Sequence, residues 1–156
     1  MRKISLVDRE RLTAALAERG WARSLIETAD LDDLLATAKA GCWMRLEGEG
    51  RGLDASDGGG GALAAALGVA SARLVRHRAG DFGLPPTEAG TTFLLDLNDD
   101  WPSPRGGLLL FQDGDQVAGF RPQAGAVTLF DGARTPLLTL VAPGAPDRYA
   151  IIGRLA

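Results

Sequence analysis

Apolar and polar positions along this chain change period near residue 70, from helical spacing to short alternating runs. Residues 5–19 predict one helix: Ser5 caps it, acidic Asp8 sits at its third position, Leu12 and Leu16 are four apart, and Gly20 closes it. A second helix is better marked, with Asp30 as N-cap, Leu31, Leu34, Leu35 and Ala38 at i, i+3, i+4 and i+7, and Gly41 just past its end. Each presents one apolar stripe, so both are expected to pack against a sheet. Residues 42–47 read as a short strand. Residues 48–61 carry seven glycines and little that could pack, which predicts a loop, and Ala62 to Leu67 follow as one or two helical turns.

From residue 72 the pattern predicts strands near 72–78, 91–98, 107–112, 115–121, 125–130, 137–142 and 148–154. Asp113-Gly114 between apolar runs is a hairpin signal, and Gly125 and Asp131-Gly132 mark further reversals. Strands at this spacing describe a sandwich or barrel. The 21 glycines among 156 residues, against an average of about 7%, agree with a turn-rich β protein. Neither half alone has a full core. Residues 1–156 are therefore expected to form a single domain, with 1–70 as helical and loop support for a β core over 71–156.

The net charge of −3 argues against a nucleic-acid binder, because phosphate neutralisation needs a basic patch. Arg73, Arg76 and Arg78 fall on both faces of one strand, as a solvated surface or as a small anion site. No apolar stretch of about 18 residues could span a membrane, and Met1-Arg2-Lys3 leads into Asp8-Arg9-Glu10-Arg11 rather than an apolar segment. A cytoplasmic protein is the expectation. The one cysteine, Cys42, stands beside Trp43 and is expected to be packed rather than reactive. The glycine run is no phosphate loop, since no Lys-Ser/Thr follows Gly61. Asp96, Asn98, Asp99 and Asp100 supply oxygen donors of the kind calcium or magnesium accepts, or else form a solvated turn.

One order of motifs stands out in the second half. Arg76-His77-Arg78-Ala79-Gly80-Asp81-Phe82-Gly83-Leu84-Pro85-Pro86-Thr87-Glu88 is followed by Leu97-Asn98-Asp99-Asp100-Trp101, Gly106-Gly107-Leu108, Phe130-Asp131 and Arg148-Tyr149-Ala150-Ile151-Ile152-Gly153. This order resembles the 2-oxoglutarate/Fe(II) oxygenases of the prolyl-4-hydroxylase type. The resemblance implies a mainly β fold with N-terminal helices (α+β), a double-stranded β-helix or jelly-roll barrel packed against about two helices.

In that family a His-x-Asp/Glu pair and a later His hold Fe(II), and an Arg or Lys grips the distal carboxylate of 2-oxoglutarate. On the resemblance, Pro86-Thr87-Glu88 stands where the family has His-Thr-Asp, and Pro136 replaces the second His, with Leu137 the alternative if the loop shifts by one. The carboxylate remains as Glu88. Arg148 matches the carboxylate anchor, or is a surface or ion-pair arginine. His77 stands where many relatives carry a Tyr facing the cosubstrate, or is a strand side chain with an ordinary hydrogen-bond partner.

His77 is the only histidine, so a two-histidine site cannot form within one chain, and any Ser-His-Asp set would have to recruit it. The expectation is therefore a pseudo-oxygenase with no Fe(II) or 2-oxoglutarate cofactor and with vestigial metal positions at Pro86, Glu88 and Pro136. Its role would be to bind a small carboxylate through Arg148 and His77, or to serve as a regulatory subunit for a protein partner or as a homo-oligomer. The alternative is an active dioxygenase with atypical ligands, Glu88 with His77 or a residue from another subunit.

Overall fold

In the computed structural model, residues 9–26, 31–48, 51–56, 60–87, 89–131 and 134–155 are described. The expected caps Ser5 and Asp30, and also Asp8, Gly132 and Glu88, lie outside them. The element order is α1 (Arg9–Arg19), β1 (Trp21–Leu25), α2 (Leu31–Ala40), β2 (Trp43–Gly48), β3 (Arg51–Ser56), α3 (Gly60–Leu67), β4 (Ser71–His77) and β5 (Thr91–Asp96). After a 3-10 turn at Ser103–Arg105 come β6 (Leu109–Asp113), β7 (Gln116–Phe120), β8 (Ala126–Asp131), β9 (Leu137–Leu138) and β10 (Arg148–Arg154).

A seven-stranded sheet runs β1-β8-β5-β10-β4-β3-β2 and a three-stranded sheet runs β7-β6-β9, with antiparallel neighbours throughout. One face of the large sheet packs Leu95, Leu129, Tyr149 and Ile151 against Leu12, Leu34 and Ala38 of the helices. Its other face turns Leu94, Phe130, Ala150 and Ile152 toward Leu109, Phe111 and Leu138 of the small sheet. Central strands are thus covered on both sides. That is why β5, β8 and β10 read as continuous apolar runs rather than alternating ones. β10 also explains Gly153: a Cβ there would run into the Ser71 carbonyl oxygen and the Phe93 ring. Gly153→Ala is expected to cost about 1–3 kcal/mol through overpacking, read as a lower urea midpoint with an unchanged slope.

Several expectations are corrected. The glycine-rich stretch 48–61 is not a loop throughout, because β3 lies within it and pairs with β2 from Trp43↔Ser56 to Gly48↔Arg51. Buried Asp54, tied to arginines on both flanking strands, holds β3 in the sheet despite Gly52 and the glycines on either side of the strand. β1 is a strand that the sequence pattern does not announce, whereas the helical turns expected over 62–67 are present as α3. The strand expected over 137–142 shrinks to Leu137–Leu138, with Val141 bridging Gly106 on its own. Cys42 is exposed, not packed. No described helix is long and apolar enough to cross a membrane.

Candidate functional site

The two segments singled out as metal positions are some fifty residues apart in sequence, and the fold brings them together. Gly80 N–H donates to Val141 O at 2.8 Å, Val141 N–H to Asp81 O at 2.9 Å, and Gly83 N–H to Leu138 O at 2.9 Å, so the chain after β4 runs alongside β9. At the end of this run the Thr87 and Thr135 hydroxyl oxygens lie 3.1 Å apart in a hydrogen bond. Pro86 is exposed and Pro136 buried. Neither carries a side-chain donor atom for a metal. Leu137, the alternative position, is exposed, and Leu138 is fully buried in the apolar core between the sheets.

Deeper between the sheets sits a chain of polar groups. Arg148, at the start of β10, is fully buried, and its Nη2 donates to Asp96 Oδ1 at 2.8 Å and its Nε to Gly107 O at 3.0 Å. Gly107, at φ +62°, makes room: a Cβ there would stand 3.0 Å from Arg148 Cδ. Asp96 also receives Arg23 Nη2 at 3.4 Å, while Arg23 Nη1 donates to Thr128 Oγ1 at 2.6 Å. Burial lowers the Arg23 pKa, an effect that Asp96 opposes. Arg148 Nη1 has no partner among the described residues.

His77 lies directly opposite Arg148 in the β4–β10 register and is fully buried. Its Nε2 is 2.7 Å from Gly83 O, which assigns the proton to Nε2 and leaves Nδ1 as a buried acceptor without a partner among the described residues. Burial, reinforced by the positive charge of Arg148, pushes the imidazole down to about 4 against the pull of the Gly83 carbonyl. His77 is therefore neutral at pH 7.

The arginines of β4 form a separate cluster. Arg76 and Arg78 both pair with Asp54, and Arg45 bridges Asp54 and Asp81. Burial would raise the Asp81 carboxyl, but the bonds from Arg45 and the Arg78 N–H outweigh it and hold the group below the usual carboxylate range. Arg76 and Arg78 thus both pair with the buried Asp54 carboxylate, Arg76 half-buried and Arg78 still exposed to solvent. Asp96, Asn98, Asp99 and Asp100 do not converge: Asn98 binds the Tyr149 N–H and the Asp147 carbonyl, and Asp99 and Asp100 are exposed. No three His, Cys, Asp or Glu side chains among the described residues are grouped to hold a metal ion.

Two crevices open beside the threonine pair. One of about 160 Å³ is lined by Arg73, Pro86, Thr87 and Thr92. The other, about 290 Å³, lies between the edge strand β1 and the small sheet, with Arg19, Trp21, Phe111, Arg134 and Pro136 in its walls. Sequence reasoning missed Arg19, Arg23, Trp21 and Arg134. The apolar order at 21–25 is too short to announce a strand, so nothing indicated that Trp21 shares a crevice with Arg19 and Arg134 or that Arg23 joins the Asp96 network.

No family pattern and no curated protein matches the sequence. Solved structures do match. A Pseudomonas putida prolyl-4-hydroxylase superposes with a TM-score of 0.73 at 20% identity, over 94% of this chain and 97% of that one. A Trichoplax adhaerens prolyl hydroxylase, solved with a hypoxia inducible factor peptide fragment, gives 0.72 at 16% identity over 92% and 86%. The fold is that of the 2-oxoglutarate/Fe(II) oxygenases. HygX from Streptomyces hygroscopicus, solved with nickel, 2-oxoglutarate and hygromycin B, gives 0.61 at 10% identity over 92% and 85%.

These neighbours correct the expectation that no cofactor goes with this chain, because two structures of the same fold, the epimerase SnoN and HygX, were solved with a metal ion and 2-oxoglutarate bound. The residues here suit the two groups unequally. Arg148, already paired with Asp96, keeps one buried charged donor, Nη1, without a described partner, and donors of that kind pair well with carboxylates. A two-histidine iron triad has no residues within one chain: His77 is the sole imidazole, and Pro86 and Pro136 offer no ligand atom.

Proposed function

We propose that this chain is a non-hydroxylating member of the oxygenase fold, a small-molecule-binding or protein-interaction module that uses the barrel mouth as its binding surface. One observation carries the reading. The two mouth segments meet through Thr87 and Thr135, yet the residues beside those threonines are Pro86 and Pro136, which have no ligand atom. Open-site iron chemistry depends on chelation by several side chains at once. Supporting the reading of 1–156 as one domain, β1, β2 and β3 from the first half share a sheet with β4, β5, β8 and β10.

An active dioxygenase that used His77 is disfavoured by its surroundings. Nε2 is engaged with Gly83 O, and Nδ1 lies in the field of the Arg148 guanidinium, which repels a cation. The experiment is an assay of 2-oxoglutarate-dependent succinate release with added Fe(II) and ascorbate. Release no greater than the protein-free blank is expected. Release of many equivalents per chain, in proportion to protein, defeats the proposal.

A further inference from the structure

We infer that the crevice between β1 and the three-stranded sheet binds a small organic carboxylate. The inference deepens the reading of the mouth as a binding surface and rests on it. The crevice carries positive charge and no acid: its lining holds Arg19 and Arg134, and no Asp or Glu among the described residues. Neither Arg19 nor Arg134 makes an ion pair with a described residue.

Both cations are placed in advance of any ligand. Arg19 Nε donates to Trp21 O at 3.1 Å, and its guanidinium carbon lies 3.9 Å over the Trp21 ring. Trp21 in turn stacks on Phe111 with centroids 4.9 Å apart and planes at 17°. Arg134 lies against the turn at Gly20, where a Cβ would meet its Cδ at 2.7 Å and its Nη1 at 2.9 Å. Trp21 is itself only 8% exposed, and its buried Nε1–H has no acceptor among the described residues. A buried donor left without a partner costs stability unless a ligand or water supplies an acceptor.

The walls narrow the ligand class. Guanidinium forks suit planar oxyanions, and Leu110, Phe111 and Pro136 offer apolar surface for an organic body. Arg19 and Phe111 occupy both faces of the indole, so neither face of Trp21 is left to stack a nucleobase. A volume of about 290 Å³ suits a single small ring or short aliphatic arm.

The test uses the whole chain labelled with 15N, in which three tryptophans give three indole resonances; the Trp21 signal is the one lost in Trp21→Phe. Benzoate is expected to shift that resonance saturably. Arg134→Gln should weaken the affinity roughly tenfold, as loss of one charge-assisted bond implies. Neutral benzamide and inorganic phosphate should bind at least that much more weakly. Arg134 is exposed, so the variant folds, and unchanged Trp43 and Trp101 resonances verify it. The inference is overturned by a shift that never saturates, by equal affinity in Arg134→Gln, or by benzamide or phosphate binding as well as benzoate. Succinate turnover would sink only the non-hydroxylating reading, and a failed benzoate titration in a chain without turnover would sink only this one.

Discussion

Asp96→Ala is expected to destabilise the protein by about 3–5 kcal/mol, because it strands two buried or half-buried guanidiniums at once. Arg148 is fully buried and pairs with Asp96 alone among the described carboxylates, and Arg23 leans on the same group at 3.4 Å. A domain's whole stability is of order 5–15 kcal/mol, so one substitution would remove a large part of it. Thermal unfolding should move down by roughly 10 °C for a chain of this length.

Pairing the change with a second one separates loss of a bond from exposure of a charge. Asp96→Leu with Arg148→Met removes both buried charges of the inner pair and replaces them with apolar groups. Arg23 keeps its bonds to Thr128 and the Arg121 carbonyl. The double variant should therefore be more stable than Asp96→Ala alone, since a buried pair replaced as a unit is often nearly neutral. A double variant at least as unstable as the single one would show that packing around Asp96, not charge, sets the cost.

The same network marks where sequence reading stopped. Strands β6 and β7 were legible from the Asp113-Gly114 turn between them, and β5, β8 and β10 from long apolar runs, signals that fix boundaries independently of what packs on them. The proximity of 86–88 to 136 was legible only through resemblance, since no local rule pairs residues so far apart. The structure brings the two segments together through Thr87 and Thr135, with Glu88 outside the described residues.

What the chain hid was the partner of each charge. Arg148 and Asp96 sit on neighbouring strands β10 and β5, and Arg23 reaches Asp96 from β1, which is separated from β5 by β8. Each looks like a surface charge in its own segment, and only the sheet order makes them one network. β3 was hidden differently: the glycines of 48–61 around it argue for a loop, and the buried Asp54 that overrides them acts through arginines on β2 and β4. Mouth arginines 19 and 134 carry no local signal at all, being ordinary residues at a helix end and in a turn.

His77 gives the second large effect, this time one that pH controls. Burial holds its imidazole down to about 4, against about 6.5 in an unfolded chain. A group with a depressed folded pKa contributes stability that is fully present above its unfolded pKa. That stability is lost progressively as pH falls from about 6.5 toward about 4, because only the unfolded chain takes up the proton over that window. The full span corresponds to roughly 3 kcal/mol. Asp81 also loses its stabilising charge in acid, at lower pH, so wild type alone does not isolate the histidine. His77→Gln does: its amide can donate to Gly83 O as Nε2 does and never titrates. Urea unfolding of both proteins should show the His77→Gln variant close to wild type at pH 7 and more stable than wild type by about 2 kcal/mol near pH 4.5. Parallel stability curves for the two proteins between pH 7 and 4.5 would mean that His77 takes up its proton in the folded barrel as readily as in water, and that the chamber beside Arg148 is open to solvent.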